Sequence, residues 1–135
     1  CVMVKLAHVL RENSFHVCVK GELLGDTFRC MEVCAPEDTA IVGCAIDIGT
    51  TTVTMVLTDL TTGKILAKGS SGNGQIRYGA DVINRIIEQG KPGGRKKLQD
   101  AILKETLNPI IANLCKSAGV TCPSILRMSV ARIPP

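Results

Sequence analysis

GCAIDIGTTTVTMVLTDL, residues 43–60 of a 135-residue chain, decides the fold. An apolar run ends in Asp47, one residue before Gly49 and the threonines Thr50, Thr51 and Thr52. The next run alternates, with Val53, Met55 and Leu57 on one side and Thr52, Thr54 and Thr58 among the others. Alternation marks a half-buried strand, and strands joined by so short a turn are antiparallel neighbours. TTGK turns the chain again, and KILAKGSS supplies a third strand.

An acid and a hydroxyl cluster at a strand tip admit three readings: a phosphate-gripping hairpin, an aspartic-protease loop and a plain turn. For phosphate, Gly49 lets backbone approach a ligand, and the amides and hydroxyls of Thr50, Thr51 and Thr52 are donors. Asp47 would repel phosphate directly, so it fits only with Mg²⁺ or its waters in between. No G-K-[ST] follows and the next element is a strand, which argues against a P-loop and a dinucleotide fingerprint. A protease loop needs a small hydroxyl residue where Ile48 stands, and a plain turn has little use for three β-branched residues.

Outward from this hairpin, Val2, Leu6, Val9 and Leu10 have helical spacing, and SFHVCVK and TFRCMEV alternate like strands around GELLGD. SGNGQIRYG reads as loop. Val82, Ile83, Ile86 and Ile87 form one face of a helix closed by Gly90. A longer helix spans Arg95 to Ala118, striped by Leu103, Leu107, Ile110, Ile111, Leu114 and Ala118 and ended by Gly119. Pro109 predicts a kink there, or a restart capped by Asn108. SILRMSVA is a fourth strand, reached by a helical crossover and therefore parallel to one of the first three. The expectation is an α/β protein with a mixed sheet in the order β-β-β-α-α-β, residues 41–135, preceded by a small α+β piece at 1–40.

Composition narrows the function. Aromatics are 2% of the chain (Phe15, Phe28 and Tyr78), too few for the stacking platforms of single-stranded nucleic-acid binding. The net charge of +4 is mild, and its dense cluster, Lys91, Arg95, Lys96 and Lys97, reads as a solvated helix start, with anion binding as the alternative. Seven cysteines, an odd number with no C-x-x-C pair and no signal-peptide pattern, predict reduced thiols in a cytoplasm, with Cys18, Cys30 and Cys44 in apolar strand runs. His8 and His16 have no evident partner. No apolar run approaches the ~20 residues of a membrane span. The start on Cys1 and the stop at ARIPP lead us to expect a piece of a longer protein.

GCAIDIGTTTVTMVLTDLTTGKIL resembles the first phosphate loop and opening hairpins of the superfamily of sugar kinases, heat-shock chaperones and actin. GNGQIRYGADVINRI is sharper: it resembles the N-x-Q-x-x-Y-G-A-D-V-I-x-R-I signature of the ATP-dependent reductive activators of corrinoid proteins. The resemblance covers roughly residues 41–130. It implies a ribonuclease H-like, actin-like ATPase subdomain, with residues 1–40 ending an upstream linker region. It also implies ATP hydrolysis coupled to uphill electron transfer that returns inactive Co(II) corrinoid proteins to Co(I). Asp47 then serves Mg²⁺ and catalysis, Gly49, Thr50, Thr51 and Thr52 hold phosphate, and Asn73, Gln75, Tyr78, Gly79, Asp81 and Arg85 carry the second motif without an assigned role. The iron–sulfur cluster of the family belongs to an upstream ferredoxin domain, the second phosphate loop and adenosine pocket lie outside this chain, and the implied partner is a corrinoid protein. The full-length protein is a possible homodimer without nucleic acid or membrane partners. After SILRMSV the family continues Gly-Asn-Thr-Thr-Met, whereas this chain reads ARIPP. Other readings are a small-molecule kinase of the same superfamily, an actin-like nucleotide-binding scaffold, and an acyl-CoA dehydratase activator, which needs cysteines for a bridging cluster.

Overall fold

The computed structural model describes residues 2–132; Cys1 and the end Ile133-Pro134-Pro135 lie outside them. Helix α1 (Val2–Glu12) leads into a hairpin of β1 (Cys18–Leu24) and β2 (Thr27–Cys34). The strands run closer to their turn than the sequence suggests: GELL is paired strand, and only Gly25 and Asp26 are left to turn it. Lys20, buried in this hairpin, donates to Asp38 at 2.7 Å, which satisfies an otherwise costly charge.

The second sheet has four strands. β3 (Val42–Ile48), β4 (Thr52–Asp59) and β5 (Ile65–Gly72) form an antiparallel meander, with Asp47 opposite Thr54. A 3₁₀ turn (Gly74–Tyr78) follows, then α2 (Val82–Gln89), α3 (Gly94–Ile102) and α4 (Asn108–Ala118). The crossover returns as β6 (Ile125–Arg132), parallel to β3, so the order across the sheet is β5-β4-β3-β6. This is the mixed sheet that the alternation and the helical crossover predict.

One face of the sheet makes the core. Val42, Cys44 and Ile46 of β3 and Val53, Met55 and Leu57 of β4 pack on Ile110, Leu114 and Cys115 of α4. Each fully buried aliphatic side chain here contributes about 1.5–3 kcal/mol. Met128 and Val130 share that face with Cys44 and Ile46, yet they are 52% and 59% exposed.

Three expectations are corrected. The interruption of the long helix lies before Pro109: Leu103–Leu107 is a π turn, and Asn108 is not a side-chain cap. Pro109 has no N–H, so a carbonyl one turn back loses its donor and the ladder re-registers. Thr106, 1% exposed, plugs the gap: its hydroxyl donates to Ala101 O at 2.8 Å and accepts from Gly74 N at 3.0 Å. Thr106→Val keeps the shape and strands both partners, so denaturant unfolding of the intact protein is expected to show a loss of about 2–3 kcal/mol. An unchanged midpoint would remove Thr106 from this role.

The second correction concerns α2. Ile83 is 71% exposed and Ile86 and Ile87 are also exposed, while Glu88 is buried. The third concerns the cysteines. Cys34, Cys44 and Cys115 are buried and Cys18 is half-buried, but Cys30 and Cys122 are exposed. Cys30 lies on the part of β2 whose outer positions are all open to solvent. Burial pushes the Cys115 thiol up to about 11, and it accepts a hydrogen bond from Cys122 at 3.3 Å. The thiolate is the nucleophile, so Cys115 should resist iodoacetamide at pH 8 and react only as the pH nears 11, while Cys30 reacts at once. Peptide mass spectrometry after timed alkylation reads this directly; equal rates at the two positions would contradict it.

Candidate functional site

At the tip between β3 and β4, Gly49 N donates to Thr52 O at 2.9 Å and closes the turn. A Cβ on Gly49 would come within 2.8 Å of that same oxygen, so the turn admits no side chain at this position. Thr51 and Thr52 are exposed and Thr50 is half-buried. The amides of Thr50 and Thr51 take no part in the backbone bonds of the turn. Asp47 is exposed at the strand end. Side chains alternate along β3, so Asp47 projects on the face opposite Ile46 and Ile48.

The second motif meets this loop from below. Asn73, 2% exposed, donates from Nδ2 to Gly49 O at 2.9 Å, its backbone N donates to Thr51 O at 2.8 Å, and its Oδ1 accepts from Gln75 N at 3.0 Å. Arg85 reaches from α2 to fill the remaining position. Its Nη2 donates to Thr50 O, its Nε donates to Gly79 O at 2.9 Å, and its Nη1 contacts Gln75 Oε1 at 3.4 Å. Three consecutive carbonyls, those of Gly49, Thr50 and Thr51, are thus held on the motif's side. In a trans peptide the N–H points opposite to the C=O, so the amides of Thr50 and Thr51 turn away from the motif.

The other motif residues serve the same clamp. Gln75 Nε2 donates to Leu98 O at 2.9 Å and ties the 3₁₀ turn to α3. Asp81 caps α2, accepting from Asn84 N at 2.8 Å and from Asn84 Nδ2 at 2.9 Å. Gly79 has extended backbone, so its requirement is closeness: a Cβ there would meet Arg85 N at 2.7 Å. Tyr78 packs under the Arg77 guanidinium, 5.2 Å from the ring centre. This rotation of α2, set by Arg85 and by Glu88, leaves Ile83 and Ile87 open to solvent.

A cleft of roughly 380 Å³ opens beneath the loop, lined by Ile48, Gly49, Thr50, Asn73, Gln75 and Arg85, among others. Asp47, Thr51 and Thr52 are not on its wall, so the predicted site residues fall into two groups on the two sides of the loop. Sequence reasoning missed Thr106 and Arg132 here; Arg95 was visible only as one member of a basic cluster.

The group described as the RACo middle region matches residues 42–132, the whole of the second sheet and its helices. The chain belongs to the RACo middle region family. Corrinoid activation enzyme RamQ of Eubacterium limosum is 40% identical over 111 residues, which is 82% of this chain and 18% of that protein. A solved reductive activator for corrinoid, iron-sulfur protein superposes with a TM-score of 0.73 at 36% identity, covering 97% of this chain and 21% of that one. This RACo middle region therefore spans about a fifth of the length of each relative, and the expected kinship with reductive activators of corrinoid proteins is met. No helix among the described residues is long and apolar enough to cross a membrane.

Proposed function

We propose that this chain is a segment of an ATP-dependent reductive activator that returns Co(II) corrinoid proteins to Co(I), and that it carries the first phosphate-binding loop. We read the four-stranded sheet and its helices as a ribonuclease H-like, actin-like ATPase subdomain, with residues 1–40 ending a linker region. The observation that carries the reading is the pair of unbonded amides at Thr50 and Thr51, turned away from the carbonyls that Asn73 and Arg85 hold, together with a solvent-facing carboxylate at the same strand end.

The residues present fit the implied Mg²⁺-nucleotide. Among the described residues no cluster of three or more His, Cys, Asp and Glu gathers for a metal, so the protein side offers Asp47 alone. Mg²⁺ bound to nucleotide suits such a site, because it keeps waters and takes one or two carboxylates alongside the phosphates. Bound Mg-ATP would supply the free energy of hydrolysis for the uphill electron transfer. In this reading Asp47 holds the metal's waters, Gly49 removes the obstacle of a Cβ, and the threonine amides and hydroxyls bind phosphate oxygens. Asn73 and Arg85 fix where those amides point.

The test is the full-length protein with a Co(II) corrinoid protein, a low-potential reductant and Mg-ATP, followed by the visible absorbance of Co(I). Co(I) formation that requires hydrolysable ATP is expected. Reduction at the same rate without nucleotide would overturn the ATP-dependent reading.

A further inference from the structure

The cleft beneath the loop has a charge pattern that the nucleotide reading leaves unused. Arg85, Arg95 and Arg132 all line it, and no acidic side chain does. The basic cluster seen in the sequence divides here. Lys91 and Lys97 pair with Glu88 at 2.6 and 3.8 Å, whereas Arg95 turns to the cleft. None of the three arginines forms an ion pair with a carboxylate among the described residues. Arg85 spends three donors on neutral oxygens, which leaves part of its five-donor fork free. Burial pulls Arg85 below the usual arginine value, and the charge of Arg132 pulls the same way against Asp81.

We propose that this cleft binds the phosphate group of a small organic phosphate, independently of Asp47 and of magnesium. Three guanidinium groups exceed what one carboxylate can use, since a single arginine already satisfies it in a bidentate pair; a phosphate dianion offers acceptors for all three. The volume is far larger than a bare phosphate needs, and Val82, Ile86 and Leu98 give the rest an apolar wall for an organic body. Gly49 and Thr50 line the cleft too, so it shares the loop with the site proposed for nucleotide but lies on the side away from Asp47. Ile48 lines the cleft, so Asp47, its neighbour on the strand, faces the other way. The amides of Thr50 and Thr51 also point away from Asn73 and Arg85, which are on the cleft wall. Because Arg85 is held by three bonds before any ligand arrives, little ordering remains to oppose binding.

The experiment uses the full-length protein without magnesium, treated with the arginine reagent phenylglyoxal, with adducts at Arg95 and Arg132 quantified by peptide mass spectrometry. Inorganic phosphate should slow modification at both positions saturably, and phenyl phosphate should do so at lower concentration; exposed Arg11 serves as the control. Arg132→Gln should raise the half-protecting concentration at Arg95 about tenfold, the effect of losing one charge-assisted bond. Asp47→Asn should leave protection unchanged, so failure of the nucleotide reading and failure of this one give different results. The proposal is overturned by absence of saturable protection, by equal protection at Arg11, or by protection at lower concentration from succinate. It is also overturned if protection appears only with Mg-ATP and vanishes in Asp47→Asn, which would make the cleft part of the nucleotide site. Phenyl phosphate protecting no better than inorganic phosphate would overturn the organic body.

Discussion

Asp47→Asn in the full-length protein is expected to lower ATP turnover at least about 100-fold, the scale lost when one preorganised charge-stabilising group is removed from an active site. The substitution is nearly isosteric and removes the negative charge that would hold the metal's waters. Its effect on folding should be small, because Asp47 is exposed and the core side chains of β3 are Val42, Cys44 and Ile46 on the other face. Thermal unfolding and steady-state phosphate release, measured on the same preparation, separate the two effects. A Tm within a few degrees of the parent together with near-zero turnover is the expected pair of results. Turnover within twofold of the parent would remove Asp47 from the mechanism and with it the Mg²⁺ reading of this hairpin.

What the sequence makes legible here is what repeats at short range. The alternation of Val53, Met55 and Leu57 predicts both the strand and its buried face, and all three are completely buried. The short turn at Gly49 predicts antiparallel pairing, and the long crossover predicts that β6 runs parallel to a member of the meander. The orientation of α2 is not legible that way. A period of 3.6 residues groups Val82, Ile83, Ile86 and Ile87 on one face, but how that face is turned is set by polar bonds of its neighbours Arg85 and Glu88. Arg85 reaches Thr50, 35 residues away, and Glu88 turns toward the start of α3. The same holds for the long helix: Pro109 announces a break, but its form depends on a hydroxyl at Thr106 meeting Gly74, 32 residues upstream. The motif from Asn73 to Arg85 could be recognised as a pattern, yet its physical role needs the loop at Gly49 in view. The three-arginine cleft was equally hidden, since Arg85, Arg95 and Arg132 come from three separate elements.

Asn73→Ala is expected to be the most destabilising single change in the clamp. Asn73 is almost fully buried and its side chain serves two backbone groups at once, Gly49 O and Gln75 N. Truncation leaves both without their partner in a site too enclosed for easy hydration. At about 1–3 kcal/mol for each stranded group, a loss of roughly 3 kcal/mol is expected in denaturant unfolding. Gln75→Ala is the natural comparison. Its side chain gives one firm bond, to Leu98 O, and a long contact with Arg85, so about 1 kcal/mol should be lost. Function should separate the two variants further. Without Asn73, Gly49 O is free to rotate and the amide of Thr50 rotates with it, because the two belong to one rigid peptide. Turnover should then fall under conditions where the variant is still fully folded, whereas Gln75→Ala, which leaves the loop carbonyls held, should keep most of it. Equal activities in the two folded variants would show that Asn73 serves only stability and that the orientation of the loop is set by the turn itself.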